Sequence, residues 1–433
     1  MRLKRTALVW MTVFLLSSLA AANGLNLNSL GSRALAMGGA FVGLADDFSA
    51  AFWNPAGIAQ FEENRFGFYG TDLIPSGAYL LEIPTPAGSF TLVDAETKTS
   101  HYLAGMGAYY HKIDEKTTGG IAVYTPSGLG AKWDGADFAP ISNNQTYTWE
   151  SMVGMVTISP ALAYKLSDKV MAGAALNINY AFFDISTHAG VVEVPVSGGT
   201  TSVDLGQQEE FLSGWGYGAT LGILAKPSSL FSLGAVFRTA SRVSLEGEAT
   251  IYNFDVLGVP ETSDVSSEVT WPMWLGIGVA VLPIPKLTLT ADIQYTNWGK
   301  IDVINFTFSN PIWKVAVQGT ESAEMQMLWK DRTQLRFGGE YRFGSAAVRA
   351  GYYWDPSPAP DKTMNVLLPS FDFNVITAGF GYRSGGLQLD AGFEYLIGKD
   401  REVPLLVSGE MLGMPGKYSM TILVPNITLA YLW

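Results

Sequence analysis

Three stretches of this chain alternate residue character almost without a break for about ten positions. From Thr333 to Phe343 the odd positions are Thr333, Leu335, Phe337, Gly339, Tyr341 and Phe343, against Gln334, Arg336, Gly338, Glu340 and Arg342. Leu387 to Ile397 repeats the pattern, with Asp390 and Glu394 on its polar face. So does Lys286 to Thr296, with Asp292 on its polar face. A period of two means a strand with two chemically different faces. Runs of this length exceed the roughly five or six residues of an ordinary soluble strand. Beyond the first 22 residues no stretch holds the roughly 18 apolar residues of a membrane helix. Only 15% of the residues are charged, while 12% are aromatic. An apolar chain without spanning helices can enter a bilayer as a closed barrel, in which inter-strand bonds satisfy every backbone group. The expected fold is all-β: a transmembrane antiparallel β-barrel. A large soluble β-domain is the alternative.

Strands are expected to start near Arg65, His101, Thr118, Thr148, Lys169, Phe211, Leu230, Glu268, Leu287, Asp331, Ala346, Asn374, Leu387 and Tyr418. That is fourteen, an even number, as single-chain bacterial barrels have. Tight turns such as Ser167-Asp168 and Gly344-Ser345 alternate with long connections near 82–99, 127–147, 189–210, 252–266, 304–329, 354–372 and 398–416. Short periplasmic turns and longer outer loops would produce this alternation. The chain closes on Ile427, Leu429, Tyr431 and Trp433, all on one face. A last strand with a terminal aromatic resembles the signal read by outer-membrane assembly machinery.

The first 22 residues read as an export signal. Arg2, Lys4 and Arg5 precede the apolar run Thr6 to Leu19 and the small residues Ala20 to Ala22. Removing it takes the formal charge from −12 to −15, because three positive and no negative residues are lost. That acidity argues against nucleic acid as a partner. No cysteine is present, so neither a disulfide frame nor thiolate chemistry is expected. The expected division is signal peptide 1–22, a lumenal hatch 23–63 and a barrel 64–433.

The hatch expectation comes from the stretch Asn28 to Gly57, which is rich in small residues and broken by glycines. Asn54-Pro55 reads as a helix start, with a side-chain acceptor at the cap and a proline whose missing N–H costs nothing there. Asp46 is expected to cap a run from Asp47 to Phe52, and Gly38-Gly39 to close a turn from Arg33. Helices this short need a container.

Two motifs resemble the FadL/TodX family of outer-membrane transport proteins. One is Asp46-Asp47 followed by Asn54-Pro55-Ala56-Gly57, similar to the family's hatch signature. The other begins at Gly120 and runs through Pro126, Ser127, Gly128, Leu129 and Gly130 to Trp133. It resembles the family's third strand, where a kink opens the wall. Looser likeness extends over Ser159 to Tyr180 and Gln334 to Tyr353. The resemblance implies fourteen strands and a plugged lumen. It also implies diffusive uptake of hydrophobic molecules, long-chain fatty acids or aromatic hydrocarbons, released sideways through the kink. Asn54, Pro55, Ala56 and Gly57, with Asp46 and Asp47, would then gate. A scaffold that presents its outer loops to a partner protein is the alternative, since the family includes such relatives.

Residue chemistry partly supports a greasy substrate. The strand from Phe211 places Gly214, Gly216, Gly218 and Gly222 on one face and Trp215, Tyr217 and Leu221 on the other. A lumen wall of bare backbone leaves room for a hatch or ligand. Among the loops, Phe306, Phe308, Trp313 and Trp329, with Trp133, are candidate substrate contacts, because exposed apolar patches mark binding surfaces. Their mutual burial is the bland alternative. The lumen charges Asp292, Arg336, Glu340, Arg342, Arg349, Asp390 and Glu394 either pair with one another or offer a basic site to a fatty carboxylate. His101, His111 and His188 have no ligand-like spacing, and no nucleophile elbow is present. No enzyme, metal or cofactor is expected. The expected associates are a hydrophobic substrate, outer-membrane lipid or lipopolysaccharide, and the assembly machinery, with the protein itself a monomer.

Overall fold

The computed structural model describes residues 24–317, 323–405 and 413–433. The export signal expected at 1–22 lies outside them. Fourteen antiparallel strands close into a ring. They are β1 (Arg65–Thr85), β2 (Tyr102–Lys112), β3 (Thr117–Trp133), β4 (Trp149–Ser167), β5 (Val170–His188) and β6 (Gln207–Ser228). Next come β7, in two segments (Phe231–Arg238 and Ser241–Ile251), and β8, also in two (Thr262–Trp271 and Trp274–Ile284). The ring continues with β9 (Leu287–Thr296), β10 (Arg332–Phe343), β11 (Ala346–Asp355), β12 (Phe373–Ser384), β13 (Leu387–Gly398) and β14 (Gly416–Leu432). β14 returns to β1 in a register running from Arg65↔Leu432 to Leu80↔Lys417. Closure removes the free edges that would otherwise expose unpaired backbone to lipid.

Alternation does what the sequence predicts. On β10, Leu335, Phe337, Tyr341 and Phe343 are exposed, while Gln334, Arg336 and Glu340 are buried in the lumen. On β6, Trp215, Tyr217 and Leu221 point outward. The outer surface is thus an apolar belt of the kind lipid requires.

The long connections differ from expectation. β1 runs on to Thr85 and pairs with a further strand, Gly88–Glu96, so 82–99 is a hairpin rather than a loop. Strands Val191–Val196 and Gly199–Asp204 form another hairpin within 189–210. Strand extension beyond the barrel rim gives these segments their own backbone partners, which a hydropathy pattern does not reveal. The 304–329 stretch holds a strand, Val303–Phe308, and a helix, Pro311–Ala316.

Candidate functional site

Residues 24–61 pack against the inner faces of the ring. Three short helices, Ser32–Ala36, Ala50–Trp53 and the 3-10 turn Pro55–Gln60, are joined by turns in which Gly38 and Gly39 take φ of 65° and 62°. Their backbone touches strands on every side. Thr377 on β12 accepts from Gly38 N at 3.1 Å and donates to Ala36 O at 3.1 Å. Thr428 on β14 accepts from Ser32 N at 3.1 Å, and Tyr110 on β2 donates to Phe48 O at 2.8 Å. Asp292 on β9 accepts from Val42 N at 2.9 Å, and Gln294 donates to Gly39 O at 3.1 Å. Where the segment meets the wall most closely the wall is glycine. A methyl at Gly173 or Gly222 would strike Pro55 or Asn54, and one at Gly338 or Gly351 would strike Met37 or Gly38.

Asn54 caps the 3-10 turn as its sequence suggests, accepting from Ala56 N at 3.1 Å. It also crosses the interior, donating to Val42 O and to Ile223 O of β6, both at 3.0 Å. Pro55 and Ala56 rest against Gly173 of β5, and Gly57 packs on Ala45. The expected acidic cap is corrected. Asp47, not Asp46, accepts from Ser49 N (2.9 Å) and Ser49 Oγ (2.6 Å) ahead of Ala50–Trp53. Asp46 instead meets Arg33 at 2.5 Å, so the tertiary ion pair takes it away from the helix end. Burial opposes ionisation of both carboxyls. It pushes Asp47 up, while Arg33 overrides it at Asp46 and brings that group below the usual range. Substituting Asn54→Ala leaves three backbone groups without their partner, each worth about 1 kcal/mol or more when buried. Limited proteolysis is expected to cut the 24–63 segment faster in that variant, with the barrel itself intact.

The lumen charges join one another and the inner segment. Glu340 meets Arg33 (2.7 Å), Arg349 (2.7 Å) and Arg342 (2.6 Å). Arg349 also meets Asp390 at 2.6 Å. Arg336 donates to Gly38 O at 3.1 Å and lies 4.2 Å from the Tyr353 ring centre, and Tyr353 donates to Glu394.

The wall itself is split. β2 and β3 pair only from Met106↔Tyr124 down to Lys112↔Thr118. Above that level β3 has no ladder to β2 and pairs with β4, meeting the segment before β2 only at its top, where Thr97 bridges to Trp133 and Lys98 N donates to Lys132 O at 2.8 Å; its register slips between Tyr124 and Ser127. The slip switches the strand's parity: Thr118, Ala122 and Tyr124 point inward below it, Ser127, Ala131 and Trp133 above it. Thr125-Pro126 is the irregular pair, and a proline that cannot donate is suited to such a break. Gly128, Leu129 and Gly130 follow it along the unpaired edge. The residues just after the expected signal fill the start of this gap. Leu27 N donates to Pro126 O at 2.9 Å, Asn26 bridges to Ser127, and Ser127 Oγ donates to Leu25 O.

Behind the gap lies an apolar cavity of about 80 Å³. Leu25, Tyr102, Gly128, Gly130, Trp329 and Phe373 are among its walls. Trp329 therefore lies at this cavity. Phe306, Phe308 and Trp313 are not. They are 7%, 1% and 1% exposed and pack among the outer loops, with Trp313 edge-on to Phe254 at 5.1 Å. Trp133 is likewise buried and donates to Val366 O at 2.8 Å. The expected exposed patch is thus closed, because the loops fold over the barrel mouth and bury one another. Gly214 and Gly216 do not form an open wall either, since a side chain there would meet Ser244 and Val243 of the adjoining β7. Only Gly218 reaches a lumen pocket.

That pocket holds a residue the sequence reading missed. Arg238, at the end of the first β7 segment, donates to Phe52 O at 2.7 Å. Its guanidinium lies 4.6 Å from the Phe52 ring centre and 5.0 Å from that of Trp274. Its Nε is buried without an acceptor, and among the described residues no carboxylate lies within ion-pair reach. It lines the same pockets as Asn26 and Pro126. A lone arginine in an apolar run carries no local signal that its tertiary surroundings lack an anion.

A sequence model of the family described as outer membrane protein transport protein (OMPP1/FadL/TodX) matches residues 13–415. The chain belongs to this family. As a member of the OMPP1/FadL/TodX family it is an outer-membrane protein. It is 19% identical to outer membrane protein P1 of Haemophilus influenzae over 400 residues, 84% of each chain. A putative outer membrane protein of Neisseria meningitidis serogroup B is 22% identical over 428 residues, 93% of this chain and 88% of that one. Among solved structures, a Pseudomonas aeruginosa FadL homologue superposes with a TM-score of 0.76 at 16% identity, over 94% of this chain and 99% of that one. The Pseudomonas putida toluene transporter TodX superposes with a TM-score of 0.72 at 17% identity, with the same coverage. These likenesses establish the barrel fold of this OMPP1/FadL/TodX member.

Proposed function

We propose that the protein is a channel for diffusive uptake of hydrophobic small molecules, and that it favours amphiphiles with an acidic head over neutral aromatic hydrocarbons. One observation carries the route: residues 24–61 pack against the inner faces of the strands, while the wall between β2 and β3 is split over an apolar cavity. A molecule caught in that cavity has its shortest way out sideways, into lipid, beside the outward-facing Leu103. The cavity of about 80 Å³ is smaller than the roughly 150 Å³ that accommodates benzene. Passage therefore requires Leu25 to Leu27 to withdraw from β3, with the segment anchored by Asn54 and Asp46-Asp47 acting as the gate. Curated relatives named as outer membrane proteins and solved relatives named as toluene transporters support a greasy cargo. Phe306, Phe308 and Trp313 are turned inward, which removes the aromatic patch that the scaffold alternative would present.

Arg238 supports the acidic head. A buried guanidinium with an open N–H next to the gap lacks an anion, and a charge-assisted bond to a carboxylate is worth about 1.5–3 kcal/mol. The test is radiolabelled oleate uptake in cells lacking their own fatty-acid channel, with toluene alongside. Wild type is expected to carry oleate. Arg238→Met is expected to lower oleate uptake about tenfold at limiting concentration, by the same estimate, and to spare toluene. Equal loss of both substrates would assign Arg238 a purely structural part, and toluene uptake without oleate would reverse the preference.

A further inference from the structure

Four arginines converge at the short-turn end of the lumen, in a chain whose formal charge is −12. Arg33 from the inner segment, Arg342 on β10, Arg349 on β11 and Arg383 on β12 line one vestibule of about 380 Å³. The turns at Gly344-Ser345 and Gly385 rim it, so it opens at the short-turn end. Its two carboxylates already have partners. Glu340 Oε2 accepts from Arg33 Nε and Arg349 Nε, both at 2.7 Å, and Oε1 from Arg33 Nη2 (3.1 Å) and Arg342 Nε (2.7 Å). Asp390 accepts from Arg349 and Gln388, both at 2.6 Å. Asp46 takes the remaining Arg33 nitrogen. Four guanidiniums thus face three carboxylates.

The surplus falls on Arg342 and Arg383. The Arg342 side chain is 50% exposed and shares its one carboxylate with two other arginines. Among the described residues the Arg383 guanidinium is bonded only to the neutral Gln388, at 2.7 Å. In the register Arg342↔Ala347↔Gly381 the strand between β10 and β12 carries only a methyl group at this level, and the Arg349 guanidinium lies over Gly381 of β12. Arg342 and Arg383 thus border one vestibule with Arg349, whose own charge is taken up by Glu340 and Asp390. Planar guanidiniums on separate strands suit an anion with several oxygens around one centre better than the single plane of a carboxylate.

We propose that this vestibule is a binding site for a phosphate-class oxyanion, held between Arg342 and Arg383 on the periplasmic side. The site lies at the opposite end of the lumen from the split wall and goes beyond the uptake route. The oxyanion shares Arg342 with Glu340, so its occupancy is tied to the carboxylate that anchors Arg33. The ligand is either a soluble phosphate or a phospholipid headgroup, and two arms separate them. In one, the detergent-purified protein is titrated with inorganic phosphate at low ionic strength and followed by phosphorus NMR line broadening. In the other, the protein is reconstituted with phosphatidylglycerol and retained lipid is read by native mass spectrometry. Saturable broadening is expected, weakened at least about tenfold in Arg342→Gln/Arg383→Gln and largely kept in Arg342→Lys/Arg383→Lys. Lipid retention with the same dependence on the two arginines, without a response to phosphate, would support the site and assign it to the headgroup. Heat-modifiable migration on gels verifies that each variant is folded. Absence of saturable binding in both arms, or binding indifferent to the glutamine pair, overturns the proposal.

Discussion

Deletion of Pro126 is expected to close the barrel wall and to lower uptake of hydrophobic substrate at least about tenfold, with the barrel correctly assembled. The expectation follows from the register. β3 advances three residues, Tyr124 to Ser127, where β4 advances two, from Thr157 to Met155. One residue fewer restores equal steps, so Ser127 follows Tyr124 on the inward face at the normal spacing. Parity then runs unbroken from Thr118 to Trp133, and the upper half of β3 can lie flat beside Tyr102 to Gly105 of β2. Each new ladder bond contributes about 0.5–1.5 kcal/mol, so three or four of them oppose reopening by a few kcal/mol. A few kcal/mol is a factor of tens to hundreds in the open population. The deletion also removes the carbonyl that accepts from Leu27 N, so the inner segment loses its seat in the gap. Uptake assays on cells with matched amounts of heat-modifiable barrel provide the check. Undiminished uptake through such a barrel would place the exit elsewhere, through the floor rather than the wall.

Removing the Glu340 carboxylate is the second change with a large expected effect. Glu340→Ala takes the common partner from Arg33, Arg342 and Arg349. Arg33 and Arg349 are almost fully buried, so two guanidiniums would stay in the lumen with reduced compensation. Breaking a buried ion pair by deleting one partner costs about 3–5 kcal/mol. Part of that is recovered if Arg33 swings out, which means undocking Ser32–Ala36 from β12 and β14. The expected signature is a folded barrel whose inner segment is cut readily by protease and whose single-channel conductance rises. Glu340→Gln, which keeps an acceptor but no charge, should fall between wild type and alanine. If Glu340→Ala leaves conductance at the wild-type level, the glycine contacts and the carbonyl bonds from Thr377, Arg336 and Gln294 are sufficient to hold the segment.

Local patterns were legible because the physics behind them is local. All fourteen expected strand starts have a counterpart in the ring, since a strand between lipid and lumen must alternate at every second residue. The Asn54-Pro55 cap was readable for the same reason: acceptor and donor are two residues apart. The acidic cap was misassigned because Asp46 and Asp47 are equivalent by sequence, and only Arg33, thirteen positions away, distinguishes them. The aromatic loop stretch was read as exposed because hydropathy reports what a segment avoids and not which neighbour covers it. Phe254, packed on Trp313, comes from a different loop.

The sequence by itself therefore determined the barrel, its strand number, its two faces and the small helices at the start of the chain. Each of these follows from periodicity or from a contact within a few residues. Only the tertiary structure decided where the wall opens, which charges share a partner and which remain in surplus. Glu340 finds Arg33 across 307 positions, and β2 parts from β3 because of a slip in register against β4. Arg238 and Arg383 look like any other arginine in a strand until closure gives their guanidiniums neutral hydrogen-bond partners. Long-range pairing is set by how the whole ring closes, and that information is distributed over every strand.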